Sequence, residues 1–331
     1  MKRMWICLLV LALFAGTASS LLAEGAQEEV FTLTLGHDGA IGSFQDEAVN
    51  KLAEVAKEKS GGRLIIEVFP AGQLGNNMSM MESTVLGSQD LWWGDLTWLG
   101  NLVQDYQILS MGYAFRDQDH MNAFMDSEIG QELKAQLLEE GILLIREHAN
   151  QLPRVLVTKF PVSSPADLKG VKMRVPGIPI FVKVWEAMGT KPTSVNWGEV
   201  YLALSQGVVD AMECGYEFVY ANKFYEVAKY VTRTDHVRGI RGLLANPAMH
   251  AGLPEDLQKV LFDAAVAAEE LYNEKTAAAE AEHTKLLKEN GVTISTVDLA
   301  PFQQQVLSAV EKLEAEGMWS KGLFLKLQEI K

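Results

Sequence analysis

Residues 30–38, "VFTLTLGHD", alternate apolar and polar side chains with the two-residue period of a strand that buries one face. The period then changes. In "SFQDEAVNKLAEVAKEKSGG" the residues Phe44, Ala48, Leu52 and Val55 share one helical face, with Ser43 as N-cap and Gly61 and Gly62 as the stop. "RLIIEVF" (63–69) predicts a second strand, "MSMMESTVLG" a helix and "QDLWWGDL" a further apolar strand. This β-α-β-α order predicts an α/β domain with a largely parallel sheet.

From residue 151 the order repeats. "PRVLVTK" reads as a strand, "SPADLKG" as a short capped turn and "VKMRV" as a strand. "IPIFVKVWEAM" reads as a helix ended by Gly189, "TSV" as a strand, "WGEVYLALSQ" as a helix ended by Gly207 and "VVDAME" as a strand. Two such series predict two lobes: residues 28–151 with 241–280, and 152–240 with 292–331. A helix over 254–290 starts with Pro254 in its first turn and ends at Asn290-Gly291. At 1.5 Å per residue it spans roughly 54 Å, long enough to lie across both lobes. An antiparallel hairpin or coiled coil is the competing reading, but no sustained heptad supports it.

Residues 1–23 depart from this pattern. Lys2 and Arg3 precede an apolar run from Met4 to Ala15 and then small residues, the layout of a cleaved secretory leader; a retained membrane anchor is the alternative. Cys7 would leave with the leader, so Cys214 would remain alone, with no intramolecular disulfide. The net charge of -14 argues against nucleic acid as a partner, yet a local pocket of opposite sign can still attract a small anion.

Candidate chemistry centres on Arg174. It stands between an apolar strand end and an apolar helix start, where a guanidinium that stays charged must find an acceptor. That acceptor is either an internal carboxylate or an anionic ligand, which here would also meet the N-terminus of the helix after Pro176. Arg154, at the edge of "VLVTK", is either solvated or a second pocket arginine. Trp92 and Trp93 face opposite sides of a strand, one towards the core and the other, Trp93, a candidate for the cleft. His37 and Glu213 complete the ligand-binding candidates with Cys214, whose bland reading is a small buried thiol. Met78, Met80 and Met81 read as core. The six histidines lack short metal-ligand spacing, and no Walker loop, G-x-S-x-G or G-x-G-x-x-G occurs, so neither a metal nor a cofactor is expected.

The stretch "ADLKGVKMRVPGIPIFVKVWEAMGTKPTSVNWGEVYLALSQGVVDAME" resembles the solute-binding subunits of TRAP transporters, the DctP family. Its carriers are Arg174-Val175-Pro176, Ala187-Met188-Gly189, Glu199-Val200-Tyr201-Leu202-Ala203-Leu204 and Gly207-Val208-Val209-Asp210. "SGGRLIIEVFPAGQLG", "KFYEVAKYVTRTDH" and "LPEDLQKVL" extend the resemblance over nearly the whole mature chain. It implies a periplasmic-binding-protein-like, two-lobed α/β fold with crossing strands and a long C-terminal strut helix, closing on a small carboxylate. It also implies an exported, periplasmic protein that is not an enzyme, works as a monomer, with dimerisation along the long helix as the alternative, and delivers its solute to two integral membrane subunits. Arg174 matches the family arginine that binds the carboxylate and Arg154 an assisting one. Many members carry an asparagine after the glutamate matched by Glu213; here Cys214 stands instead, a poor replacement for an amide donor. A sensor presenting ligand to a membrane receptor, a binder of a more apolar acid and an exported enzyme are the competing readings.

Overall fold

The computed structural model describes residues 29–331; the expected leader over 1–23 lies outside them. The chain runs through β1 (Phe31–Gly36), α1 (Phe44–Lys59), β2 (Leu64–Phe69), α2 (Asn77–Leu86) and β3 (Leu91–Asp95) in the alternation its periodicity predicts. Two 3-10 segments (Leu96–Asn101 and Gln104–Ser110), α3 (Gln118–Asp126) and α4 (Glu128–Glu139) lead to β4 (Leu143–Asn150). The second series follows as β5 (Arg154–Thr158), β6 (Lys172–Val175), α5 (Pro179–Ala187), β7 (Lys191–Ser194), α6 (Val200–Ser205), β8 (Ala211–Gly215), α7 (Tyr216–Ala221) and β9 (Tyr230–Arg233). Then come β10 (Ile240–Ala245), α8 (Pro247–Gly252), α9 (Glu255–Glu289), β11 (Thr293–Thr296), α10 (Ala300–Leu307), α11 (Val310–Ala315) and α12 (Leu323–Glu329).

Local chemistry sets the helix ends. Ser43 caps α1 by accepting from the Asp46 amide at 3.3 Å, and Asp46 and Glu47 in its first turn with Lys57 and Lys59 in its last complement the helix dipole. Gly87 closes α2 in the left-handed conformation at φ 73°, as a C-terminal glycine should.

The strands form two sheets, ordered β2-β1-β3-β10-β4 and β11-β9-β5-β8-β6-β7. They are mixed rather than largely parallel. β10 runs antiparallel to β3 and β4, and β5 antiparallel to β8 and β9, while the other pairs are parallel. The reason is connectivity: each antiparallel strand arrives from the other sheet by a short crossing, without the helical crossover that parallel pairing needs. The two crossings run side by side, with Gln151 N donating to Gly239 O at 3.1 Å and Arg154 N to Val237 O at 3.0 Å. α9 is a third connection. It is one continuous 35-residue helix, packed on α1 and β4 at one end and on α7 and β11 at the other.

Sheet one is covered on both faces. Leu33, Leu35 and Trp93 pack with α1 and α9, while Trp92 and Leu244 join a larger apolar cluster that continues through Ile108 and Met111 to Met173, Val175 and Trp185 beside sheet two. Trp93 therefore lies in a core, beside Tyr272 of α9 at 6.3 Å, and not in the cleft expected for it. Met80 and Met81 are buried as expected, with Met78 packed against them. No helix among the described residues is long and apolar enough to cross a membrane.

Candidate functional site

Ligands of α/β proteins bind beyond the carboxyl ends of parallel strands. Here such ends from both sheets converge on one cavity, about 430 Å³ of space not occupied by atoms, including the part that opens to solvent. Sheet one contributes Asp38 after β1, Asn77 at the start of α2, Asp95 at the end of β3, Thr97 and Trp98 beyond it, and Arg241 from β10. Sheet two contributes Arg154, Arg174, Pro176, Ile178, Trp197, Cys214 and Phe218. Three arginines face two aspartates and the Glu213 carboxylate behind Arg154, so the formal charges cancel inside a chain of net charge -14 and what matters is which guanidinium is left unpaired.

The three guanidinium groups differ in what holds them. Arg154 starts β5 and reaches diagonally to Glu213 of β8, a buried fork in which Nε and Nη2 each meet a carboxylate oxygen, the latter at 2.9 Å. Its Nη1 lies 3.6 Å from Asp95 across the cleft. Burial opposes the charge on Glu213, but the Arg154 guanidinium and then His236, 3.4 Å away, outweigh it and hold the carboxyl at about 2. Arg241 pairs with Asp38 at 3.1 Å, and Asp38 also accepts from Asn77 at 2.7 Å and Gln45 at 3.0 Å. Burial works against Asp38 as well, yet these donors keep it below the ordinary carboxylate range.

Arg174 has no such partner. It is 2% exposed, its Nε and Nη2 both donate to the carbonyl of Val195 at 3.0 and 2.8 Å, and its guanidinium lies over the Trp197 ring at 5.6 Å. Among the described residues no carboxylate comes within 4.0 Å of it. Burial lowers it to about 10, with Glu213 opposing and Arg154 adding to the shift, so it remains a cation at neutral pH. The internal ion pair weighed from the sequence is therefore not what holds it. The helix N-terminus expected to assist is also taken: α5 begins at Pro179, three residues beyond Pro176, and the Ile180 amide donates to Gln107 Oε1 at 3.1 Å.

Of the sequence candidates, Arg174, Arg154 and Cys214 line the cavity and Glu213 stands behind Arg154. Cys214 is buried, and burial pushes its thiol up, so it stays neutral. His37 and Trp93 do not line the cavity. The His37 ring is fully buried, with Nδ1 accepting from the Gly39 amide at 3.2 Å and Nε2 3.3 Å from Asp46, because β1 ends one residue earlier and Asp38 takes the cavity-facing place. Arg241 and Asp38 escaped sequence reasoning, although a lone charge in the otherwise apolar "IRGLLA" is the same signal that marked Arg174.

The Glu213 fork has a pH signature. A carboxyl held at about 2 against an ordinary 4.5 stabilises the folded state above about pH 4.5, and that contribution, on the order of 3 kcal/mol, is lost as pH falls towards 2. Urea unfolding between pH 6 and pH 2 should show the decline, and Glu213→Gln should flatten it.

A family model of bacterial extracellular solute-binding proteins, family 7 (DctP), matches residues 35–316. The chain belongs to this family. It is 33% identical to a solute-binding protein of Roseobacter denitrificans over 88% of this chain and 90% of that protein. A TRAP periplasmic solute-binding protein of that species, solved with bound L-galactonate, superposes with a TM-score of 0.82 at 33% identity, covering 88% of this chain and 99% of the other. One from Actinobacillus succinogenes, also with bound L-galactonate, gives a TM-score of 0.85 at 29% identity, covering 90% and 98%. The resemblance to TRAP solute-binding subunits and the two-lobed fold it implied are thereby borne out. These relatives are described as solute-binding proteins of TRAP systems.

Proposed function

We propose that this solute-binding protein captures a sugar acid, a polyhydroxylated monocarboxylate, between its two sheets and passes it to the membrane subunits of a TRAP transporter. The observation that carries the reading is Arg174. A buried guanidinium keeps its charge and costs several kcal/mol unless an anion offsets it, and the Val195 carbonyl supplies only a dipole. A carboxylate accepting from Arg174 completes its coordination in the bidentate geometry that arginine favours.

The opposite wall argues for hydroxyl groups on the remainder of the ligand. Asp38 and Asp95 are acceptors there, and the buried Asn77 Oδ1 lacks a hydrogen-bond partner, so ligand hydroxyls would be donors to them and a second carboxylate would be repelled. Trp98 and Trp197 offer aromatic faces for the apolar side of a sugar chain. The two structural relatives with bound L-galactonate accord with this chemistry.

In this reading residues 1–23 direct export and are removed, and the mature protein works in the periplasm as a monomer. Residues 28–151 with 241–280 act as one lobe and 152–240 with 292–331 as the other, with 254–290 as the strut between them. Arg174 holds the carboxylate, Glu213 fixes Arg154, and Cys214 is a neutral wall where many relatives carry an amide.

A thermal-shift screen of the mature protein against aldonates, uronates, dicarboxylates and neutral sugars tests the reading. At one hundred times its Kd a ligand adds about 2.7 kcal/mol to the unfolding free energy, so a true cargo stands out clearly. Stabilisation by aldonates or uronates is expected. Equal stabilisation by the matching neutral sugar or by a dicarboxylate would refute it.

A further inference from the structure

A second cavity lies behind the first, with Phe218 as a wall common to both. It is bounded by the start of α1 from sheet one, by α7 from sheet two and by α9, and holds about 580 Å³ of space not occupied by atoms, including the part open to solvent. Its walls are rings. His283 stacks on Phe44 at 5.4 Å and meets Tyr220 at 5.4 Å, while Phe218 and Tyr272 close the remaining sides.

One charged group faces these rings. Glu217 is 2% exposed, no cation among the described residues comes within 4.0 Å of it, no other residue hydrogen-bonds its carboxylate oxygens, and its own amide with the more distant Arg241 and Arg154 only partly offsets its burial. The carboxylate is folded against the chain at Gly215, where a Cβ would lie 2.7 Å from Oε2, so a larger residue there would have to displace it. The other polar atoms of this wall without partners are Oε1 of Gln45, an acceptor, Nδ1 of His283 and the Tyr272 hydroxyl. Burial pushes Glu217 up to about 7, leaving a substantial carboxylate fraction at neutral pH, and burial lowers His283, so its imidazole supplies no compensating charge.

We propose that this cavity is a second binding site, for a small organic ammonium ion, with the ring faces and the Glu217 carboxylate as its ligands. Aromatic faces attract cations through their quadrupoles, and a desolvated carboxylate requires a positive donor; an ammonium group on a short apolar stem satisfies both. The two cavities select opposite charges. On the other side of Phe218, Arg241 lies over the ring at 5.4 Å paired with Asp38, and Arg174, the guanidinium without a carboxylate partner, favours an anion in the first site. Since the walls come from the sheet-one side, the sheet-two side and α9, an ion held here touches both lobes and the long helix between them.

Calorimetric titration of the full mature protein with n-butylammonium and tetramethylammonium chloride tests the site, with n-butanol and potassium chloride as controls. Saturable ammonium binding is expected, at least tenfold weaker in Glu217→Gln and unchanged in Arg174→Ala, so the result stands whether or not the sugar-acid reading holds. Glu217→Gln replaces a buried charge by an isosteric amide and should melt no lower than the parent, which separates lost binding from lost folding. Absence of saturable ammonium binding, equal binding of n-butanol, or undiminished binding in Glu217→Gln would each overturn the proposal.

Discussion

Arg174→Ala is expected to weaken binding of the carboxylate cargo by about 30-fold to more than a thousandfold, the 2–5 kcal/mol typical of truncating one partner of a buried charge pair. The folded protein should lose little. In the unliganded state Arg174 contributes two hydrogen bonds to one carbonyl and a stacking contact with Trp197, set against the desolvation of a full charge. Calorimetry with the cargo found in the screen, beside urea unfolding of both proteins, separates the two effects. Arg174→Lys should not restore affinity, since an ammonium cannot form the planar fork or keep both donors on Val195. Unchanged affinity in Arg174→Ala would return the arginine to a structural role.

The sequence carried this expectation part of the way. A charge between an apolar strand and an apolar helix is visible in "VKMRVPGIPIF", and it obliges a partner. Which partner is a tertiary matter: Glu213, the nearest carboxylate candidate, spends itself on Arg154, and no periodicity records that choice. The same limit explains Trp93. Alternation correctly put Trp92 and Trp93 on opposite faces, but the second face is covered by α9, whose approach depends on residues well over a hundred positions away. The long helix itself was legible to within a residue at each end because its length and caps are local. The order of the sheets was not, because the short crossings at 151–153 and 234–239 carry no signal distinguishing them from ordinary loops.

The two buried glutamates illustrate opposite uses of the same residue type. Glu217 has no paired cation, Arg241 and Arg154 acting on it only from beyond 4.0 Å, and its neutral analogue should be at least as stable; Glu213 is enclosed by Arg154 and His236. A binding site built of groups dissatisfied in the free protein costs stability, whereas the groups that position it must be satisfied throughout. Arg174 and Glu217 belong to the first kind, the Arg154–Glu213 fork to the second.

Glu213→Ala is therefore expected to destabilise the protein by about 3–5 kcal/mol, the cost of stranding one charge of a buried pair. The mutation leaves Arg154 with only Asp95 at 3.6 Å across the cleft and the Phe181 face at 5.1 Å, neither of which replaces a bidentate carboxylate. The arginine cannot discharge itself, so the chain must either admit water at the start of β5 or let the strand loosen beside the crossing at 234–239. The measurement is equilibrium urea unfolding at pH 7, where the fork is fully formed because its carboxyl titrates near 2. The paired substitution Arg154→Met with Glu213→Leu should recover most of the loss, since removing both charges removes the stranded one and fills the space with apolar atoms. Sugar-acid affinity then reports on the pair, of which Arg154 is the member that lines the cavity. If it falls in the stable double variant, Arg154 assists Arg174 at the carboxylate; if it is retained, the fork acts only as scaffold and Arg174 holds the ligand's charge without it.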